Sequence, residues 1–176
     1  SPFQWFNSSN EILASLRCNI EKPNISSVPT GPIIQETTNQ NAPSRTYQDL
    51  IKNKNDEILF EHYACVELHK ISLNGFSEII QQGMIKDYDL SPDQNYLLTK
   101  TINKPFSYLV PYYRFPYTVS TKNLDNNSIE IIANIPIDEV RPKGFDATRE
   151  GIRSVSWRND LGSELYWVEA NDGGDP

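Results

Sequence analysis

Tyr88-Asp89-Leu90-Ser91-Pro92-Asp93-Gln94-Asn95-Tyr96-Leu97-Leu98 is the stretch from which the fold can be read. An apolar-alternating run meets a Ser-Pro-Asp-x-x turn, and a second apolar run follows. Period-two apolar residues joined by residues that accept turn dihedrals make an antiparallel hairpin. The same pattern stands upstream, from Phe3-Gln4-Trp5 through Asn7-Ser8-Ser9-Asn10 to Ile12-Leu13-Ala14-Ser15-Leu16. It returns downstream, from Val155-Ser156-Trp157 through Asn159-Asp160-Leu161-Gly162 to Leu165-Tyr166-Trp167. A large apolar residue (Trp5, Leu90 or Trp157) precedes each turn.

Each of the first two hairpins is followed by a second strand pair. Tyr63 to Ile71 runs to a turn at Leu73-Asn74-Gly75 and then Phe76 to Ile80. Tyr117 to Thr121 runs to a turn at Asp125-Asn126-Asn127 and then Ile129 to Ile132. A recurring unit of four antiparallel strands is the mark of a β-propeller blade. The expected fold is all-β: a partial β-propeller of four-stranded antiparallel blades, about two and a half of them, with long loop insertions. Blade 1 covers residues 1–83 with an insertion at 19–57, blade 2 covers 84–136 with an insertion at 102–116, and 150–176 start blade 3. A β-sandwich is the alternative architecture. An unclosed propeller exposes strand edges, so the chain is either cut from a larger propeller or self-associates through its open blade edges. Its start inside a strand pattern and its close at Asp172-Gly173-Gly174-Asp175-Pro176, a turn, both read as cut points.

A length of 176 residues suits one ordinary domain with a real core. Apolar content of 38% and charged content of 22% fit a globular chain. The net charge is -7 and the basic residues are scattered along the sequence. Phosphate binding needs a clustered basic face, so no nucleic-acid partner is expected. No apolar run approaches the length that spans a bilayer and no signal peptide is visible, so no membrane partner is expected either.

Two polar, aperiodic stretches interrupt the strands. Asn19 to Asn55 carries Pro23, Pro29, Pro32 and Pro43, with a short helix expected over Thr46 to Asn53 behind a Thr46 N-cap. Asp56 to Tyr63 extends that helix or starts the next strand. Ile135 to Glu150 is the second long connection. Loops of this length inside a compact domain are usually functional or disordered.

A third insertion, Lys104-Pro105-Phe106-Ser107-Tyr108-Leu109-Val110-Pro111-Tyr112-Tyr113-Arg114-Phe115-Pro116-Tyr117, is dense in aromatic residues. Its three prolines forbid a helix and cannot donate to a ladder. It packs over a core or lines a binding surface. Arg114 is the first candidate contact, with Tyr112, Tyr113 and Tyr108 as walls. A guanidinium grips a carboxylate or a peptide carbonyl in fork geometry. The plainer reading pairs Arg114 with one of the 23 acidic side chains. Arg153 and Arg158 are weaker candidates, and Trp5, Trp157 and Trp167 read as core.

Cys18 and Cys65 form no metal motif. They are either buried thiols or neighbours joined across two strands. His62 and His69, an odd number apart, would lie on opposite faces of a strand, which argues against a shared metal. Asp172 to Asp175 lacks the spaced ligands of a calcium loop. No metal and no cofactor are expected. Asn7, Asn24 and Asn126 begin Asn-x-Ser sequons, which matter only in a eukaryotic secretory host.

An ordered set of segments carries a resemblance: Gly31 to Glu36, Ala42 to Leu50, Pro105 to Pro116, Gly144-Phe145-Asp146-Ala147, Trp157-Arg158, and Leu165 to Asp175. Together they resemble the N-terminal propeller of the prolyl oligopeptidase family of serine peptidases, in its glutamyl endopeptidase-like branch, known from chloroplasts and from Bacteroidetes-type bacteria. Ile152 stands where the pattern leads one to expect a proline.

The resemblance implies a propeller that caps an α/β-hydrolase domain of the same parent chain, with a Ser-Asp-His triad in that domain. The present sequence has no Gly-x-Ser-x-Gly elbow, so no catalytic residue is expected here. The implied role is to restrict access to the catalytic cavity and to contact the peptide substrate. If the parent cleaves after glutamate, an arginine such as Arg114 is the expected partner. Bacterial members are commonly exported, which implies a periplasmic or secreted location for a bacterial source. The alternative is a stand-alone propeller-type module that binds a peptide or glycan and has no activity.

Overall fold

The computed structural model describes residues 3–25, 47–140 and 146–174. The expected Thr46 cap, the Gly31–Glu36 segment and Arg141 to Phe145 lie outside the described residues.

The first sheet has the order β1 (Phe3–Trp5), β2 (Glu11–Arg17), β3 (Val66–Ser72), β4 (Ser77–Gly83), all antiparallel. The second repeats it with β5 (Ile85–Leu90), β6 (Tyr96–Ile102), β7 (Tyr117–Asn123), β8 (Ile129–Ile135). The third is the hairpin β9 (Arg153–Trp157) with β10 (Leu165–Val168). Among the described residues no sheet closes into a barrel, and their arrangement is an all-β, partial propeller-like fold.

Alternation along β6 explains the stacking. Leu97 and Leu98 are adjacent, so they point to opposite faces. Leu97 packs with Phe6, Leu13 and Leu68 of the first sheet and its turn. Leu98 packs with Val155 and Trp157 of the third. The middle sheet is thus covered on both faces, where a two-sheet sandwich would cover only one. Burying each leucine contributes about 1.5–3 kcal/mol.

The β5–β6 turn ties the three sheets together. Ser91, 1% exposed, donates its hydroxyl to Asp93 Oδ1 (2.6 Å) and accepts from the Tyr96 amide (3.0 Å). Burial pushes the Asp93 carboxyl up, but hydrogen bonds from Ser91 and Asn95 outweigh it and hold the pKa below the usual carboxylate value. Gln94 takes a left-handed backbone (φ 63°) and donates its side-chain amide to the Trp5 carbonyl at 3.1 Å. On the other side, the Asp93 amide donates to the Gly162 carbonyl (3.0 Å), and Trp157 Nε1 donates to the Asp89 carbonyl (3.2 Å).

Several expectations are corrected. Residues 47–53 are not helical, and Asp49 has φ 57°. The helix α1 is Lys54–Ala64, because Asn53 caps it by accepting from the Asp56 amide at 3.0 Å, with Asp56 and Glu57 in its first turn. Tyr63 and Ala64 therefore end a helix and do not open β3. The aromatic insertion is not helix-free: Tyr112–Arg114 form one 3-10 turn between Pro111 and Pro116. Trp157 is core at 5% exposed, but Trp5 and Trp167 are 53% and 44% exposed. No helix among the described residues is long and apolar enough to cross a membrane.

Cys18 and Cys65 form a disulfide with a Cα–Cα distance of 5.5 Å. They continue the β2–β3 ladder by one pair beyond Arg17 and Val66. The bond closes the insertion between β2 and β3 at its base.

Candidate functional site

The insertion between β6 and β7 both packs and presents. Val110 and Phe115 are buried with Ile102, and Phe60 of α1 meets Phe106 and Phe115 edge-on, with centroids 5.0 and 5.5 Å apart. Ser107 organises the bend, accepting from the Leu109 and Val110 amides and donating to Glu139. The Phe115 amide closes the 3-10 turn onto the Tyr112 carbonyl at 3.1 Å. This anchoring leaves Tyr112 and Tyr113 55% and 56% exposed, stacked edge-on at 5.9 Å.

The four candidate residues do not share one pocket. Tyr108 lines a cavity of about 470 Å³ with Tyr47 and residues 48–52. Its hydroxyl donates to Glu57 Oε1 at 2.5 Å, and that bond, with burial, pushes the Tyr108 pKa up to about 12. Burial raises Glu57, yet hydrogen bonds from Tyr108 and Lys54 outweigh it and hold that carboxyl below its usual value. Tyr108 is thus occupied in fastening the insertion to α1. Tyr112 lies against Phe60, with centroids 6.3 Å apart, and borders neither cavity.

Arg114 and Tyr113 line a second cleft, of about 230 Å³, between the β7–β8 sheet and the start of β9. Arg149, Arg153 and Asp138 are also in its wall. The Arg114 guanidinium lies over the Tyr47 ring at 5.4 Å. Arg149 donates to the carbonyls of Glu150 and Ile152. Arg153 Nη1 donates to the Thr148 hydroxyl. Thr148 in turn is held by the C-terminal turn, since its amide donates to the Gly174 carbonyl at 3.0 Å.

The basic residues are therefore less scattered than the sequence suggests, since three of the five described arginines line this cleft. The field reaches Lys86, whose amine lies 3.4 Å from the centre of the Tyr117 ring. Burial, aided by Lys100 and Arg149, pulls its pKa down to about 8 against the opposing pull of Asp87. Arg149 was missed in the sequence. The available signal was its four-residue spacing from Arg153 at the end of a long connection. Arg158 is not part of the cleft; it pairs with Asp160 at 2.7 Å and Glu164 at 2.9 Å on the β9–β10 turn.

The histidines sit on different elements, not on one strand. His62 is buried on α1 and accepts at Nε2 from Arg17 (3.2 Å), so its proton is on Nδ1. His69 on β3 contacts Glu67 and Ser77. Among the described residues no three His, Cys, Asp or Glu side chains gather as a metal-holding group.

No family model matches the chain, and no solved structure matches it. Two curated proteins do. "Probable glutamyl endopeptidase, chloroplastic" from Oryza sativa subsp. japonica is 37% identical over 98% of this chain. The protein of the same name from Arabidopsis thaliana is 34% identical over the same share. The chain spans only 19% and 18% of their respective lengths. It is thus similar, over nearly all its length, to one segment of each of these two proteins.

Proposed function

We propose that the chain is the non-catalytic β-propeller portion of a prolyl oligopeptidase-like serine peptidase. In this reading its sheets are propeller blades, bounded near residues 83 and 136. They restrict access to a separate α/β-hydrolase domain and contribute contacts to a peptide substrate. The observation that carries the reading is the match of almost the whole chain to under a fifth of two glutamyl endopeptidases. The serial stacking of four-stranded sheets supports it. The exposed Tyr112 and Tyr113 beside Arg114 supply a surface of the right chemistry for a peptide. The disulfide suits an oxidising, exported location.

The test is to treat the intact protein with a fluorescent fluorophosphonate, which marks an activated serine. Labelling that is abolished by changing the serine of a Gly-x-Ser-x-Gly elbow is the expected result. No labelling, in a reading frame without an elbow, would leave the stand-alone peptide- or glycan-binding module as the better description. Self-association through the outer strands is a separate proposal, resting on the exposed Ile79 of β4 and Ile129 and Ile131 of β8. Light scattering reads it directly as a mass above that of one chain.

A further inference from the structure

Lys86 is poorly placed for an ordinary ammonium. It is the extra residue of a β-bulge: Ile85 pairs with Thr101 and Asp87 with Lys100, so Lys86 has no ladder partner on β6. The side chain is half-buried and crosses β6 to set its amine 3.4 Å from the centre of the Tyr117 ring on β7. Among the described residues that amine forms no hydrogen bond and no ion pair. The opposite charge that bears on it, Asp87, is already paired with Lys100 Nζ at 2.7 Å. Lys100 and Arg149 both disfavour an ammonium at this point.

The seam between the second and third sheets is bulged and cationic from its other side as well. Tyr166 pairs with Ser156 and Val168 with Arg153, so Ser154 and Val155 together oppose Trp167 in a second β-bulge. Ser154 has φ 52°, in the left-handed region that a serine rarely adopts. Arg149, Arg153 and Ser154 share the wall of the cleft of about 230 Å³ with Tyr117, the ring that carries the Lys86 amine. Asp138 in that wall has a partner of its own. Arg153 Nε is buried and has no hydrogen-bond partner. The seam therefore holds a surplus of cations and a shortage of acceptors, and a Lys86 ammonium adds to both.

We infer that Lys86 is a carbamate site: dissolved carbon dioxide adds reversibly to its amine and leaves an anion in the field of Lys100 and Arg149. The Nζ lone pair forms a bond to the carbon of carbon dioxide, one C–O π pair moves onto oxygen, and the nitrogen releases a proton to water. Nothing is oxidised or reduced. The two cations that disfavour the ammonium favour the carbamate, because the sign of each interaction reverses. The carbamate oxygens also bring acceptors to a seam that lacks them. An acyl group would cap the amine too, but it carries no charge and gains nothing from the cations.

Only an uncharged amine reacts. Burial first, then Lys100 and Arg149, pulls the Lys86 pKa down to about 8 against the pull of Asp87. Roughly a tenth of the amine is then uncharged at neutral pH, against well under a thousandth for a lysine at the ordinary 10.5. Carbon dioxide is small and uncharged, so it enters a half-buried site without the desolvation cost that bicarbonate would carry.

The inference does not rest on the peptidase reading, since a chain without a hydrolase domain would carry the same lysine. The intact protein is incubated with carbon-13 bicarbonate in a closed vessel, any carbamate is fixed as its ethyl ester with triethyloxonium, and the digest is mapped by mass spectrometry. The expected result is label on Lys86 at about tenfold or more the occupancy of the exposed Lys22 and Lys54. A carbamate resonance in the carbon NMR spectrum of the unfixed protein, lost in Lys86→Arg, should accompany it. Arg149→Met and Lys100→Met each remove one cation, and each should lower the Lys86 occupancy by about threefold or more. Label absent from Lys86, or spread evenly over the lysines, would overturn the inference. So would an occupancy indifferent to both cation variants. The wild-type map decides the site by itself, so a variant that fails to fold does not rescue the idea.

Discussion

Cys18 and Cys65 face each other one pair beyond Arg17 and Val66 in the β2–β3 ladder, with the Cys18 amide donating to the Cys65 carbonyl at 3.3 Å. Their disulfide spans a sequence separation of 47 residues. Closing a loop of that length in the unfolded chain stabilises the fold by about 4 kcal/mol in the chain-entropy description, with about 2–4 kcal/mol typical of measurement. A Cys18→Ser, Cys65→Ser double variant should therefore unfold at distinctly lower urea than the oxidised protein. The two should coincide once reductant is present. Identical midpoints without reductant would show that the ladder alone sets the base of the insertion.

The fastening of Tyr108 to Glu57 gives a pH signature at both ends. Glu57 titrates below its ordinary value in the fold, so its contribution is complete above the usual carboxylate range. That contribution is lost as pH falls through the lowered pKa. Tyr108 holds its proton up to about 12 against an ordinary 10.0. Its contribution is complete below pH 10 and is lost between there and about 12. Tyr108→Phe should cost about 1–2 kcal/mol at neutral pH. It should also raise the Glu57 pKa, measured by carboxyl-carbon NMR; an unmoved Glu57 titration would refute the hydrogen bond as the cause.

Lys86 makes the opposite prediction. Its folded pKa of about 8 lies below the ordinary 10.5, so the unfolded state binds more protons between those values. Stability should then rise with pH from about 8 toward 10.5, the penalty for holding a charged amine there being relieved as it deprotonates. Lysine-selective NMR on dimethylated protein would follow this amine directly. Lys86→Met should flatten that pH dependence. A Lys86 titration with the exposed lysines would contradict the burial of its amine against Tyr117.

The strands were legible in the sequence because each is half-buried and alternates, and the turns announce themselves through Asn, Asp, Ser and Gly. The stacking of three sheets also follows from Leu97 and Leu98 being apolar neighbours, which a strand with one solvated face would not have. The helix was misplaced because Thr46 and Asn53 are both good caps. What decides for Asn53 is its own bond to the Asp56 amide, together with Asp56 accepting from the Lys52 amide at 2.9 Å. The disulfide follows from register, which cysteine spacing does not contain. Arg114 and Arg153 were visible separately. Their meeting depends on how residues 146–152 lead into β9 and on the Ser154 bulge, and neither leaves a periodic trace.

Gly174 provides the sharpest test of how the C-terminal turn supports the cleft. It is buried, has φ +87°, and its carbonyl accepts from the Thr148 amide. A Cβ at this position would fall on the Thr148 carbonyl oxygen, which is backbone and cannot swing aside. Gly174→Ala must therefore break the Thr148 contact, in addition to the cost of a left-handed alanine, for about 2 kcal/mol or more in total. Gly173, also at positive φ (+71°), meets nothing within 4 Å at its Cβ position, so Gly173→Ala carries only the backbone cost of about 1–2 kcal/mol. The pair separates docking from backbone strain. Hydrogen exchange of the Thr148 amide should accelerate strongly in Gly174→Ala and little in Gly173→Ala. If both variants exchange alike, the turn does not dock through Gly174, and Thr148 holds Arg153 without its help.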